Sequence, residues 1–290
     1  MNTTIKERAA ALSRMVKIEH SVFALPFAYM GLFVAKPGWP GFWLFIMTTV
    51  VMVAIRSFAM TVNRLADLSI DRKNPRTQGR ELVTGEVSVL EAWIFALICA
   101  AVFELACYAI NPLVFALSPV ALVWAALYSF AKRFTWLCHF FLGSTLGLAP
   151  LGAWLAVVPH FSPAPVLLGL GVTFWVAGFD ILYACQDEAF DREQGLWAVP
   201  ARFGLRGALG MSAFSHVNAA IFFAMGGWAA GLSWIYFLFW LISCGALLAE
   251  HLMLSENDMS RVNMAFFTVN GLIAVGLGLG AILDVFLLSA

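Results

Sequence analysis

The amino-acid sequence predicts an all-α, polytopic membrane protein with nine transmembrane helices. Three observations carry this. Of 290 residues, 62% are hydrophobic and only 12% charged, against about 25% charged in an ordinary soluble domain. Apolar runs of about 18 residues or more recur, the length at which a helix crosses a hydrocarbon core of about 30 Å. The Lys and Arg residues collect in alternate connectors, which is how membrane helices are oriented. The short alternating segments of a membrane β-barrel are missing.

In chain order, the lead-in MNTTIKERAAALSRMVKIEH is polar and basic, too charged for the apolar region of a signal peptide. The first helix is expected over 20–35 and is closed by KPGWPG; the second runs 41–66. The third (90–110) and fourth (112–130) are divided at Asn111-Pro112, a turn signal. The fifth (136–158) and sixth (163–186) are divided by PHFSPAP, the seventh (207–230) and eighth (233–254) by AGLS, and the ninth covers 262–288. Fifteen of the 17 Lys and Arg residues fall before the first helix, after the second, fourth and sixth, or before the ninth. Lys36 alone marks the other side, and Arg56 lies within the second helix. This asymmetry puts the N-terminus and the basic loops in the cytoplasm and the C-terminus outside, in a cell's inner (cytoplasmic) membrane.

Two segments break the apolar pattern. At the end of the second helix Asn63, Asp67 and Asp71 are spaced by four, so they form one polar stripe, with Arg56 deeper on the same face. At the end of the sixth, Asp180, Tyr183, Asp187 and Asp191 follow at spacings of three, four and four. Asp67 to Asp187 and Asp71 to Asp191 are both 120 residues apart, and each second Asp precedes an Arg. The chain reads as one transmembrane domain over 1–290, and the offset is consistent with two repeated halves, about 1–135 and 136–290.

Carboxylates on facing helices beside basic loops suit one chemistry well. Mg²⁺ takes oxygen ligands and is commonly held by one or two carboxylates plus substrate phosphates. It then stabilises charge building on a leaving group. At the end of an apolar helix, that site suits an amphiphile with its diphosphate at the surface and its tail in the lipid bilayer. The plainer alternative is that helix-end acids only pair with loop arginines. Charges within the bilayer cost about 2.5–3.5 kcal/mol each and usually mark function, which favours the site.

These residues resemble the UbiA superfamily of intramembrane prenyltransferases. Its motif NxxxDxxxD is met by Asn63, Asp67 and Asp71, and its motif DxxYAxxDxxxD by Asp180, Tyr183, Ala184, Asp187 and Asp191. YSFAKRFT, from Tyr128, is similar to its YxxxKR loop element, and KIEHSVFALPFAYMG, from Lys17, to the opening helix of the 4-hydroxybenzoate branch. The resemblance implies that Asn63, Asp67, Asp71, Asp187 and Asp191 hold a polyprenyl diphosphate through Mg²⁺. It implies that Arg72, Arg76, Tyr128, Lys132 and Lys17 contact or cover the diphosphate, and that Arg56 meets the carboxylate of an aromatic acceptor. A guanidinium in a bilayer requires an anion, and a carboxylate offers a bidentate one; the alternative is a structural pair with Asp67 or Asp180. Asp180 or Tyr183 would orient the acceptor's phenol or take its proton.

The sequence departs from that branch at Asn63-Arg64 and Asp67-Leu68, and in the loop RTQGRELVTGEVS. Two acceptors therefore stay open, 4-hydroxybenzoate on the way to ubiquinone and 1,4-dihydroxy-6-naphthoate on the futalosine route to menaquinone. A cation-coupled transporter is the alternative from another class.

Other features point to no further chemistry. A net charge of zero excludes nucleic acid as an expected partner, and the five cysteines form no CxxC pair. GLGLG at 276–280 lies in an apolar run, where small residues let helices approach. Of five scattered His, His20, near the start of the first helix, is the one to test, and Glu104, Glu250 and Asp284 fall inside expected spans.

Overall fold

The structure, a computed structural model, describes residues 5–17, 23–36 and 38–288. His20 lies outside them. Eight helices among the described residues are long and apolar enough to cross a membrane, where the sequence predicts nine spans. The remaining apolar helix, α2 (Leu25–Ala35), has 11 residues, about 16 Å of rise. Pro26 sits in its first turn, where proline starts a helix readily.

Before it, α1 (Ile5–Met15) forms within the polar lead-in. Its Ala11 and Met15, with Val16, pack on Leu82, Val87 and Ala92, so it lies on the bundle and not through it. Next, α3 (Phe42–Asp71) has 30 residues, about 45 Å, so its polar last turns outrun a hydrocarbon core. After the short α4 (Glu81–Thr84), a capping box of Ser88 and Glu91 opens α5 (Val89–Ile110). Asn111 caps α6 (Pro112–Ala131), its Oδ1 accepting from Val114 N at 2.9 Å. Its Nδ2 donates to Leu155 O at 2.9 Å, tying α6 to the end of α7 (Cys138–Val157).

Then come α8 (Pro163–Ala184), a 3-10 turn over Cys185–Asp187, and α9 (Glu188–Glu193). The expected seventh helix, α10 (Val199–Ala229), starts at Val199 because Pro200 supports its first turn. It is interrupted at Gly204, where φ is +71°. Last are α11 (Trp234–Met253), α12 (Val262–Met264), a π-helical turn over Ala265–Val269, and α13 (Asn270–Leu288).

Close packing fixes α8 at the centre. A Cβ on Gly143 of α7 would lie 2.2 Å from Thr173 O, so glycine is required there for the two backbones to meet. On the other side, Phe27 lies between Trp175 and Phe223, with ring centroids 5.1 and 5.6 Å away. Glu104, Glu250 and Asp284, the acidic residues the sequence leaves inside expected spans, each have partners. Ser118 Oγ donates to Glu104, and Asn270 Nδ2 donates to Glu250 Oε1 at 3.0 Å. Asp284 accepts from Ser233 N and Tyr236 N at 2.9 and 3.0 Å, satisfying donors that open α11.

Hydrogen bonds between connectors gather the basic loops at one end of the bundle. Trp197 N donates to Lys132 O at 2.7 Å, and Lys73 Nζ to Gln194 Oε1 at 3.2 Å. Arg206 Nε reaches Glu256 Oε1 at 2.7 Å.

Candidate functional site

A cavity of about 560 Å³ opens among α3, α6, α7 and α8 at that end. Its lining includes Lys17, Arg56, Asn63, Asp67, Asp71, Arg76, Tyr128, Lys132, Asp180, Tyr183, Asp187 and Asp191. Arg72 alone of the sequence-predicted residues lies outside this lining. It is exposed and its backbone N–H closes α3 on Leu68 O at 3.2 Å.

On α3 the acidic stripe is deeply set. Asp67 accepts from Lys132 Nζ at 2.6 Å and from Arg133 Nη2 at 3.1 Å, with Asn63 Nδ2 at 3.4 Å. Asp71 is gripped by Arg80 Nη1 at 2.7 and 2.6 Å. The opposite wall is built differently. The sequence treats Asp180 to Asp191 as one helical face, but α8 ends at Ala184 and the chain tightens through the 3-10 turn. The turn bends the stripe without removing its members from the cavity. Asp187 accepts from Arg76 Nε and Asn74 Nδ2, both at 2.9 Å, and pairs with Arg76 Nη2 as well. Burial works against the Arg76 charge, yet the hydrogen bond and charge of Asp187 hold its pKa above the ordinary arginine value. Arg76 therefore spans the two acidic segments.

Deeper in, polar groups give way to an apolar wall that includes Met52, Ile55, Met60, Leu142, Leu146 and Phe179. Arg56 donates to the carbonyls of Val16 and Lys17 at 3.3 and 3.2 Å. Lys17 has φ +47°, a left-handed conformation uncommon for a residue with a side chain. Tyr128 OH reaches Ala59 O at 3.4 Å. Tyr183 OH accepts from Arg76 Nη1 at 3.3 Å, and its ring lies 4.2 Å from that of Phe266.

At Asp180 the structure adds a partner. His139 Nδ1 lies 2.7 Å from Asp180 Oδ2, while His139 Nε2 accepts from Val199 N at 3.1 Å. With Nε2 accepting, Nδ1 carries the proton and donates it to the carboxylate. His139, Asn74, Arg80, Arg133 and Arg64 were not singled out from sequence as site residues. A loop arginine nine residues after Asp71 is a weak signal for Arg80; Arg133 follows Lys132 in the YxxxKR element, Arg64 follows Asn63 on α3 and Asn74 lies three residues after Asp71, whereas His139 reaches Asp180 only through the packing of α7 on α8.

No three His, Cys, Asp or Glu groups among the described residues are placed to hold a metal alone. The donors available are oxygens of two facing carboxylate pairs, Asp67 with Asp71 and Asp187 with Asp191. That set fits Mg²⁺, which takes one or two carboxylates and completes its shell with phosphate oxygens and water.

Fold and site define an integral membrane protein with a cavity, lined by acidic and basic side chains, at one end of a helical bundle. The chain belongs to the UbiA prenyltransferase family, whose profile matches residues 24–272, and it is a prenyltransferase. It is 29% identical to the 4-hydroxybenzoate octaprenyltransferase of Methylobacillus flagellatus, covering 93% of this chain and 92% of that one. The 4-hydroxybenzoate octaprenyltransferase of Psychromonas ingrahamii is also 29% identical, over 93% and 95%. An apo UbiA homolog from Aeropyrum pernix K1 superposes with TM-score 0.83 at 34% identity, covering 92% and 98%. A UbiA homolog from Archaeoglobus fulgidus bound to GPP and Mg²⁺ gives TM-score 0.71 at 21% identity, over 94% and 99%. Family membership decides against the transporter alternative.

Proposed function

We propose that the protein transfers a polyprenyl group from a polyprenyl diphosphate to an aromatic carboxylate, 4-hydroxybenzoate, with Mg²⁺. The supporting observation is the convergence of Asp67, Asp71, Asp187 and Asp191 on one cavity whose inner wall is apolar. The names of its relatives support the acceptor, and the Archaeoglobus fulgidus homolog bound to GPP and Mg²⁺ supports the donor and the metal. The basic-residue asymmetry supports an inner-membrane protein with the cavity mouth in the cytoplasm.

Asn63 and the four aspartates would hold Mg²⁺, which when bound neutralises the diphosphate as it leaves. Arg76, Lys132, Tyr128 and Lys17 line the same polar end and supply donors to diphosphate oxygens. The C–O bond between prenyl C1 and the diphosphate breaks, its electron pair leaving with the diphosphate. The apolar wall keeps water from the allylic cation. The ring carbon ortho to the acceptor's hydroxyl then bonds to C1 and loses its proton. Asp180 would take that proton, a role supported by the His139 hydrogen bond that holds one of its carboxylate oxygens. Tyr183 OH already accepts from Arg76 and packs under Phe266, which suits a positioning role. Arg56 receives the acceptor's carboxylate.

A second acceptor, 1,4-dihydroxy-6-naphthoate, stays open because the chain departs at Arg64 and Leu68 from the 4-hydroxybenzoate pattern that it otherwise resembles. Purified protein supplied with geranyl diphosphate, Mg²⁺ and each acceptor in turn tests both. The expected result is one prenylated acid, lost on chelation and in Asp67→Ala and Asp187→Ala. Mg²⁺-dependent turnover that survives both substitutions would overturn the assignment.

A further inference from the structure

Among the basic side chains lining the cavity, Arg14, Arg76, Arg80 and Lys132 each meet a carboxylate, those of Glu86, Asp187, Asp71 and Asp67 respectively. Arg64 differs. It is only 5% exposed, yet its single hydrogen bond among the described residues runs from Nε to Met15 O at 3.3 Å. Nη1 and Nη2 have no protein acceptor among those residues, and the side chain lines the cavity. Asp71, an acidic neighbour acting on it, is already gripped through both oxygens by Arg80. Glu81 is the other acidic neighbour and Tyr128 faces it too, but neither is hydrogen-bonded to it.

The terminal nitrogens of Arg64 are not among the fully buried atoms that lack a partner, so they open onto the cavity, and a guanidinium held so far out of bulk water gains when an oxyanion docks on that open side. The single bond it does make has a use. Arg56 and Arg64 grip consecutive carbonyls, Lys17, Val16 and Met15, at the end of α1. Engaging Nε fixes the plane of the Arg64 guanidinium and leaves its terminal nitrogens to the cavity, the fork that recognises an oxyanion bidentately.

We propose that Arg64 is an oxyanion seat, receiving on Nη1 and Nη2 an oxyanion of a substrate. The inference rests on the prenyl-transfer reading for the source of that oxyanion. Two parts of the substrates have the chemistry, the acceptor's carboxylate and the phosphate of the donor.

Calorimetric titration of detergent-purified protein separates them, with inorganic pyrophosphate, 4-hydroxybenzoate and the uncharged 4-hydroxybenzamide as ligands. Arg64→Gln is expected to weaken one of the two anions by about 10- to 100-fold and to leave the benzamide unchanged. Weakened 4-hydroxybenzoate assigns the seat to the acceptor; weakened pyrophosphate assigns it to the donor. Should Arg64→Gln fail to fold, Arg64→Lys retains the charge without the fork and is expected to weaken the same anion by about tenfold. The proposal is overturned by a variant that binds both anions as the wild type does, by equal weakening of all three ligands, or by a wild type that binds neither anion. A failure of prenyl transfer itself would appear in the turnover assay and leave this titration readable.

Discussion

At the end of α3, Asn63, Asp67 and Asp71 stand on one unbroken helix, whereas Asp187 and Asp191 follow α8 across a 3-10 turn into α9. The spacing of the two Asp pairs is the same, but their surroundings are not. Side-chain exposure is 3% at Asp67 and 13% at Asp187. Asp67 is held by Lys132 and Arg133 from the next helical hairpin, and Asp187 by Arg76 and Asn74 from a loop. Asp191 makes no side-chain hydrogen bond among the described residues. A four-residue repeat of carboxylates thus serves two mechanical purposes. On α3 the aspartates also hold the bundle together; beyond α8 they are presented by turns with fewer packing duties.

Substituting one aspartate from each segment tests that contrast most severely. Asp67→Asn and Asp187→Asn should each lower kcat by on the order of 10²- to 10³-fold, the usual cost of removing a group that stabilises developing charge. Only Asp67→Asn should also lower stability strongly. It strips a buried carboxylate from two cations and should cost about 3 kcal/mol. Asp187→Asn breaks a pair with a partly exposed arginine and should cost under about 1 kcal/mol. Thermal unfolding in detergent, read beside initial rates, separates the two. Equal losses of stability would mean that the segments are mechanically alike after all.

The next largest effect comes from moving one segment and leaving the other. Gly143→Ala places a methyl group 2.2 Å from Thr173 O, so α8 must shift away from α7. Overpacking of this kind costs about 1–3 kcal/mol. Because α8 leads into Asp180, Asp187 and Asp191 while α3 is packed elsewhere, KM for the prenyl diphosphate should rise and Tm should fall. Pyrophosphate binding to the variant, with and without Asp187→Asn, measures the shift. If Asp187→Asn weakens binding as much in the Gly143→Ala background as alone, α8 has not moved.

How far the site can be read from sequence follows from the same contrast. The α3 stripe is legible because four-residue spacing on a long helix fixes a face regardless of tertiary context. The second stripe shares the spacing, but no residue in YACQDEAFD announces the 3-10 turn, so a single helical face is expected where the chain bends. The basic partners divide likewise. Lys132, Arg133 and Arg76 stand in or beside the motifs, whereas Asn74 meets Asp187 only when the loop after α3 folds across, and His139 meets Asp180 only when α7 packs on α8. Glu250 and Asp284 read from sequence only as charges out of place. Their partners, Asn270 and the first N–H groups of α11, belong to other helices. Span number fails at α2, where the stretch expected at 20–35 is already short for a crossing and the helix itself, with Pro26 in its first turn, has 11 residues.

The smallest predicted effect sharpens the comparison at its boundary. Arg72 and Arg76 are four residues apart, and spacing alone makes them equivalent candidates for the diphosphate. In the structure α3 stops between them. Arg72 terminates the helix and faces solvent, while the loop carries Arg76 across to Asp187 and over the Tyr183 ring, 5.3 Å from its centroid. An exposed side chain away from packing and from the cavity changes stability by no more than about 0.5 kcal/mol. Arg72→Ala should therefore change kcat/KM less than about twofold, by the same argument. Arg76→Ala leaves Asp187 without its bidentate partner and should weaken diphosphate binding by about tenfold or more. Initial rates across a range of prenyl diphosphate concentrations distinguish the two variants. Equal losses would place Arg72 at the diphosphate and require the loop after α3 to swing inward when substrate binds.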